Sequence, residues 1–101
     1  MKMMFLLPAL VAGTISFHAG ASEDISQAEI RDLVGSGEIL PLETILEEFP
    51  PNEYGKLLDL EVEREHGIII YEFEFLRSDG LVLKVEVDAR NGSILEQEIE
   101  D

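Results

Sequence analysis

Residues 57–88 read LLDLEVEREHGIIIYEFEFLRSDGLVLKVEVD, and the alternation in this stretch is the main evidence for the architecture. Apolar and polar side chains take turns along it, with breaks at His66-Gly67 and at Ser78-Asp79-Gly80. A period of two places successive side chains on opposite faces of a strand, whereas a helix requires a period of 3.6. The pattern predicts an antiparallel sheet whose apolar face carries Leu58, Leu60, Val62, Ile69, Tyr71, Phe73, Phe75, Leu81, Leu83, Val85 and Val87.

The two breaks predict the strand register, because residues directly opposite each other in an antiparallel pair share a face. A two-residue turn at His66-Gly67 with positive φ meets this condition. It pairs Val62 with Tyr71, Leu60 with Phe73, and Leu58 with Phe75. A three-residue loop at Ser78-Asp79-Gly80 pairs Phe75 with Leu83, Phe73 with Val85, and Tyr71 with Val87.

The segment after these strands is less constrained. Asn91-Gly92 signals a further turn, and Ile94-Leu95 is expected to begin a short fourth strand whose register the pattern leaves open. Residues 96–101 are expected to be loosely held, as chain ends commonly are.

Helical signals precede the strands. Ser26 and Glu29 fit a capping box, in which each side chain bonds the backbone amide of the other, and Gly35-Ser36-Gly37 ends that helix. A second helix is expected over 42–49, stopped by Pro50-Pro51 and followed by a loop over 52–56. The sequence thus predicts an α+β fold: an N-terminal helix or helices packed on one face of a three- to four-stranded antiparallel β-meander.

The N-terminus has the layout of a secretory signal peptide. Lys2 is followed by a mostly apolar run, 3–17, and by Ala19-Gly20-Ala21. The run is shorter than the roughly 20 residues that a membrane-spanning helix needs. We therefore expect a signal peptide at 1–21 and a mature domain at 22–101, periplasmic or secreted, without a stable membrane anchor. An uncleaved anchor is the alternative.

The charge restricts the partners. The chain has 22 acidic and 7 basic residues, with a formal net charge of −15. Such a chain repels phosphate backbones and anionic membranes, so nucleic acid is not expected as a partner. Basic protein surfaces or cations are the favourable partners. The chain has no cysteine, so disulfides cannot compensate for the small core of a domain this size.

Catalysis finds little support in the sequence. The mature segment has a single histidine, His66, which falls in a predicted turn, and there is no cysteine nucleophile. No serine has an evident base, and neither a phosphate-binding glycine loop nor a zinc-spaced cluster is present. We therefore expect a non-enzyme without a cofactor.

The predicted outer face carries carboxylates in rows. Glu61, Glu72 and Glu86 fall in one row, and Asp59, Glu74 and Lys84 fall in the next, where the lysine relieves the repulsion. Glu61, Glu72 and Glu86 are therefore candidate ligands for a divalent cation such as calcium. The alternative is a solvated acidic face screened by salt.

Four apolar residues are expected on the outer face or near strand ends, where they are candidates for contact with a protein partner: Ile70, Leu76, Val82 and Leu95. Pairing of a partner peptide with an edge strand is a second route to binding. Tyr71, Phe73 and Phe75 are expected in the core.

The C-terminal half resembles the PepSY family. The likeness rests on YEFEF at 71–75, Asp79-Gly80, KVEVDA at 84–89 and NGSIL at 91–95, and on GEILPLE at 37–43. The run from Val87 to Gly92 is the most specific part, although family members often have threonine where Asn91 stands. The resemblance implies a helix packed on an antiparallel sheet, no catalytic residues, and inhibition or regulation of proteases outside the cytoplasm. A stand-alone domain of this kind would act in trans.

Overall fold

The computed structural model describes residues 23–100, and the expected signal peptide at 1–21 lies outside them. The described part is α+β, as predicted. Its elements in chain order are β1 (Glu23–Asp24), α1 (Gln27–Gly35), α2 (Leu42–Leu46), α3 (Pro51–Tyr54), β2 (Lys56–Glu65), β3 (Ile68–Leu76), β4 (Val82–Asp88) and β5 (Ile94–Glu100). Within residues 23–100, no helix is long and apolar enough to cross a membrane.

The sheet has five strands in the order β1-β2-β3-β4-β5, and every neighbouring pair is antiparallel. The predicted three to four strands were therefore too few. The two-residue β1 adds one edge, and β5 forms the other. Residues 96–100, expected to be loose, belong to β5 and pair with β4. The expectation was wrong because backbone hydrogen bonding to β4 holds a segment whose side chains are mostly exposed.

Both turn predictions are confirmed. His66 and Gly67 have φ of 51° and 82°, and they place Val62 opposite Tyr71 and Leu60 opposite Phe73. Positive φ at both central residues is the two-residue hairpin geometry that matches strand twist. At the second turn the Arg77 amide donates to the Leu81 carbonyl at 2.9 Å, and Gly80 has φ of 86°. The predicted pairing between β3 and β4 holds at all three positions.

One predicted pair is wrong. Leu57, not Leu58, lies opposite Phe75, because a β-bulge shifts the register between Leu57 and Asp59. A bulge puts an extra residue into one strand and leaves it unpaired. Leu58 is that residue, and its side chain is 47% exposed. Alternation alone gives no sign of a bulge, because Leu57 and Leu58 are both apolar.

The helices differ from the prediction in two details. The Ser26 hydroxyl accepts from the Glu29 amide at 3.1 Å, but the Glu29 carboxylate accepts from Arg64 of β2 instead of reaching back to the cap. An arginine partner gives a charge-assisted bond, which is stronger than a bond to a neutral amide. The second helix ends at Leu46, and α3 replaces the expected loop, because proline is well suited to a first helical turn.

The core lies between the helices and one face of the sheet. Phe49 stands at its centre, with ring centroids 5.5 Å from Phe73 and 5.8 Å from Phe75. Tyr71, Phe73 and Phe75 are each at most 2% exposed, as the sequence predicts. Full burial of one such side chain contributes about 1.5–3 kcal/mol, so this aromatic cluster is a main source of stability.

The connector between α1 and α2 is fixed to the sheet at Leu40. Its amide donates to the Ala89 carbonyl at 2.8 Å, and its carbonyl accepts from the Tyr71 hydroxyl at 2.9 Å. The Ala89 amide in turn donates to the Ile69 carbonyl at 3.0 Å. Ala89 is fully buried, and Ile39 beside the contact is 3% exposed. These bonds join the helical layer, the centre of the sheet and the end of β4 at one point.

We expect Tyr71→Phe to lower the free energy of unfolding by about 1–2 kcal/mol, because the partly buried Leu40 carbonyl loses its donor. Urea denaturation followed by circular dichroism measures the change. Tyr54→Phe is the matched control, since it removes the hydroxyl of the chain's other tyrosine. Equal stability of the two variants would contradict the role assigned to this bond.

Candidate interaction surfaces

The outer face of the sheet carries a row of carboxylates across four strands. The register places Glu61 opposite Glu72, Glu72 opposite Glu86, and Glu86 opposite Glu96. The predicted row is therefore present and is one residue longer than expected. A hydrogen bond with Glu63, burial and neighbouring carboxylates raise the pKa of Glu61. Burial, followed by the charge of Glu65, raises the pKa of Glu86.

Lys84 relieves a different row from the one expected. It lies opposite Glu74, but its Nζ is 3.0 Å from a carboxylate oxygen of Glu72, on the diagonal. A diagonal neighbour is within reach of a long side chain. Glu74 instead shares a hydrogen bond with Glu100 of β5, and that bond is the main cause of the raised pKa of Glu74. Asp59 and Glu74 in the second row therefore still repel each other.

Two of the three candidate metal ligands lie together. One carboxylate oxygen from each of Glu61, Glu63 and Glu72 lies within 4.8 Å of the others. Glu86 is not in this group. The sequence could have indicated Glu63, because it is two residues from Glu61 on the same strand and therefore shares its face.

The four expected apolar contact residues do not form one surface. Ile70 is only 4% exposed, between Glu63 and Asp88, so its expected exposure was wrong. Leu76 is 37% exposed and pairs with the half-buried Val82. Leu95 is 48% exposed and lies unpaired in a second bulge, beside Val87. Val82 and Val87 stand at opposite ends of β4, so Leu95 is roughly 15 Å from the pair of Leu76 and Val82, at the usual rise per residue.

Sequence reasoning missed an apolar margin on the opposite face. Ile99 lies opposite Leu83 and Ile94 lies opposite Val87, so both share the face that the helices cover elsewhere. Yet Ile94 is 42% exposed, Ile99 is 39% exposed, and neighbouring Leu81 is 41% exposed. No residue of β5 is among the buried or half-buried residues of the core. We call Leu81, Ile94 and Ile99 the apolar margin; it went unnoticed because the register of β5 was not fixed.

A cleft of about 550 Å³ opens between α1, α2 and β2. Its lining is mostly apolar, with Arg31 and Glu43 as the charged members: Ile30, Arg31, Val34, Gly35, Pro41, Leu42, Glu43, Leu60, Val62 and Tyr71. It contains none of the residues expected to bind a metal or a partner. His66 lies at an exposed hairpin tip, away from this cleft.

The segment 87–92 forms a compact corner after β4. The Asp88 side chain, 6% exposed, accepts from the Arg90 guanidinium at 3.1 and 2.8 Å and from the Arg90 amide at 2.9 Å. Its own carbonyl accepts from the Gly92 amide at 2.8 Å. The hydrogen bond with Arg90 lowers the pKa of Asp88. The buried aspartate therefore fixes the turn that leads into β5.

A protein-family model matches most of the described part of the chain. The family model PepSY, described as "Peptidase propeptide and YPEB domain", matches residues 36–98. This range contains the connector, the strands β2 to β4, the corner at 87–92 and most of β5. No curated protein and no solved structure matches the chain significantly.

The pKa shifts predict that stability is highest at mildly acidic pH. Glu61, Glu65, Glu74 and Glu86 have raised pKa values in the folded state, so their contribution is lost as pH rises through those values. Asp88 has a lowered pKa, so its contribution is lost only as pH falls below the ordinary aspartate value of about 3.9. The urea concentration at the midpoint of unfolding should therefore increase as the pH is lowered from 7.5 to about 5.

The rise should be smaller in a Glu61→Gln, Glu74→Gln double variant, which removes two of the repelling groups. Glu47→Gln with Glu53→Gln is the control, because both residues are exposed in the helical region before β2. If the parent protein became less stable as the pH was lowered from 7.5 to 5, the raised pKa values of these glutamates would be contradicted.

Proposed function

The chain belongs to the PepSY family, and from this membership we propose that it is an exported, non-catalytic module that regulates a protein partner such as a protease or a sensor. PepSY domains are typically propeptide or regulatory modules, and the printed family description names peptidase propeptides. Export, to the periplasm or the medium, is supported by the signal-peptide layout of residues 1–21.

The apolar margin is the observation that carries the proposal. Leu81, Ile94 and Ile99 continue the apolar face of the sheet past the last helix and remain about two-fifths exposed. Gln97 lies between Ile94 and Ile99 on this face, so the exposed apolar side chains lie at the two ends of one strand, where a single extended partner segment can contact both. The strand that bears Ile94 and Ile99 is also a sheet edge, so a partner could add both apolar contacts and backbone hydrogen bonds.

The test is affinity capture with matched variants. Protein expressed from the full chain is immobilised, incubated with envelope extract of the source cells and lightly cross-linked. The proteins that it retains are compared with those retained by an Ile94→Lys, Ile99→Lys variant. We expect the parent to retain one protein in stoichiometric amount and the variant to lose most of it, because two charges would be buried in the contact.

Leu57→Lys with Leu58→Lys is the control, since both leucines are exposed on β2, away from the margin, and the charge change is the same. The captured protein is then tested for a change in activity, such as peptide hydrolysis, when the purified module is added. Capture by both variants alike, or an activity indifferent to the module, would refute the proposal.

Calcium binding on the outer face is the second candidate function. The favouring observation is the grouping of Glu61, Glu63 and Glu72, whose oxygens lie within 4.8 Å of one another. Ca²⁺ takes oxygen ligands at 2.3–2.6 Å, so oxygens with this spacing can share one ion. Lys84 opposes the binding, because its ammonium already neutralises part of the Glu72 charge at 3.0 Å.

Isothermal calorimetry with calcium chloride at pH 7 tests this candidate. If the site exists, the parent protein gives binding heat that is lost in a Glu61→Gln, Glu63→Gln, Glu72→Gln variant. Glu86→Gln should leave the heat unchanged, because Glu86 is outside the group. Heat equal in the parent and the triple variant, or no heat in the parent, would reject calcium binding.

A further inference from the structure

Strand β5 has two chemically distinct faces. Glu96, Glu98 and Glu100 lie opposite Glu86, Lys84 and Val82, which places all three carboxylates on the outer face. Ile94, Gln97 and Ile99 lie opposite Val87, Val85 and Leu83, on the face that the helices cover elsewhere. As the last strand of the described sheet, β5 presents its outward backbone amides and carbonyls to any added strand.

The charge beside this edge is strongly negative. Glu86 and Glu96 lie directly opposite each other, and Glu98 and Glu100 follow Glu96 on the same face of β5. Lys84 is the cation nearest this edge among the paired residues; its ammonium is bonded to Glu72, and it also interacts with the charge of Glu100. One lysine cannot neutralise Glu86, Glu96, Glu98 and Glu100 together, so an incoming positive charge would still meet a net negative edge.

This arrangement disfavours a second copy of the chain at the edge. Two β5 strands side by side would bring six carboxylates onto one face, and like charges directly opposite each other are destabilising. The other edge is less suited to strand addition, because β1 covers Glu63 and Arg64 and the bulge at Leu58 interrupts the rest of β2. Among the described strands, β5 is thus the edge that can accept a different chain.

We propose that the free edge of β5 binds an extended basic segment of a partner protein as an added strand. Lysine or arginine at alternate positions would lie beside Glu96, Glu98 and Glu100, and apolar residues between them would cover Ile94 and Ile99. The inference rests on the proposed function and deepens it by giving the partner's chemistry. The alternative explanation is that the carboxylates only prevent two copies of this edge from pairing with each other. In that case the edge would not bind a basic strand selectively.

The probe is an acetylated and amidated peptide, Lys-Val-Lys-Val-Lys-Val-Lys, titrated into protein expressed from the full chain. Nuclear magnetic resonance follows the amides, and calorimetry gives the affinity. We expect shifts concentrated at residues 94–100 and slowed hydrogen exchange there, because an added strand takes up the free backbone groups. Binding should weaken as salt is raised, since the pairs are exposed.

Two peptides separate strand addition from simple charge attraction. The first carries N-methyl groups on alternate residues along the edge-facing side, which removes the backbone donors but keeps the charge. The second, Lys-Lys-Lys-Lys-Val-Val-Val, keeps the composition but loses the alternation. Both should bind at least tenfold more weakly than the probe, because several backbone bonds or aligned pairs are lost.

On the protein side, a Glu96→Gln, Glu98→Gln, Glu100→Gln variant should bind the probe about tenfold more weakly. Glu47→Gln with Glu48→Gln and Glu53→Gln removes the same charge from exposed sites in the helical region and should bind like the parent. Equal binding of the N-methylated peptide, or equal binding by the β5 variant, would overturn the proposal, as would absence of binding by the parent. If the peptide did not bind but affinity capture through the apolar margin succeeded, only the basic strand would be rejected, and the proposed function would still be supported.

Discussion

The docking of the connector at Leu40 is the contact on which the two-layer structure depends. The short helices α2 and α3 have five and four residues, too few to be stable alone, so they need a fixed position against the sheet. Leu40 provides it, because one backbone unit is bonded both to the Tyr71 hydroxyl and to the Ala89 carbonyl. Two of the segments that carry the family resemblance, 37–43 and 87–92, meet at this point, so part of the likeness corresponds to a defined contact.

The same docking leaves the rest of the sheet open to partners. The helices cover the middle of one face, but β5 lies beyond them, so Ile94 and Ile99 stay exposed beside buried Leu83 and Val87. The opposite face carries carboxylates whose pKa values are raised in the folded state, by hydrogen bonds to other carboxyls at Glu61 and Glu74 and by burial at Glu86, with repulsion adding to each. The domain thus has two unfavourable features side by side: an exposed apolar margin and a row of carboxylates that repel one another. A partner with both basic and apolar residues would relieve both, by neutralising the carboxylates and covering the margin.

Much of the fold could be predicted from strand alternation and turn chemistry. The glycines at 67 and 80 and the parity of the core residues were enough to give the register of β3 and β4 and the burial of the aromatic residues. The bulge at Leu58 was missed because two adjacent leucines fit either parity. A fourth strand was expected to begin at Ile94-Leu95, but its register and its extent to Glu100 were not predicted, because they depend on pairing with β4. The surfaces were harder to predict: the diagonal reach of Lys84 and the burial of Ile70 depend on neighbours in space that no local pattern specifies.

Native-state hydrogen exchange of the Leu40 amide tests the central claim most directly. If Leu40 holds the helical layer on the sheet, its amide should exchange only by global unfolding, with the same free energy of opening and the same urea dependence as the amide of Phe73 in the central strand. An amide at Leu40 that exchanges as fast as that of an exposed loop residue such as Ser78 would contradict the account, because the connector would then open while the sheet stayed folded.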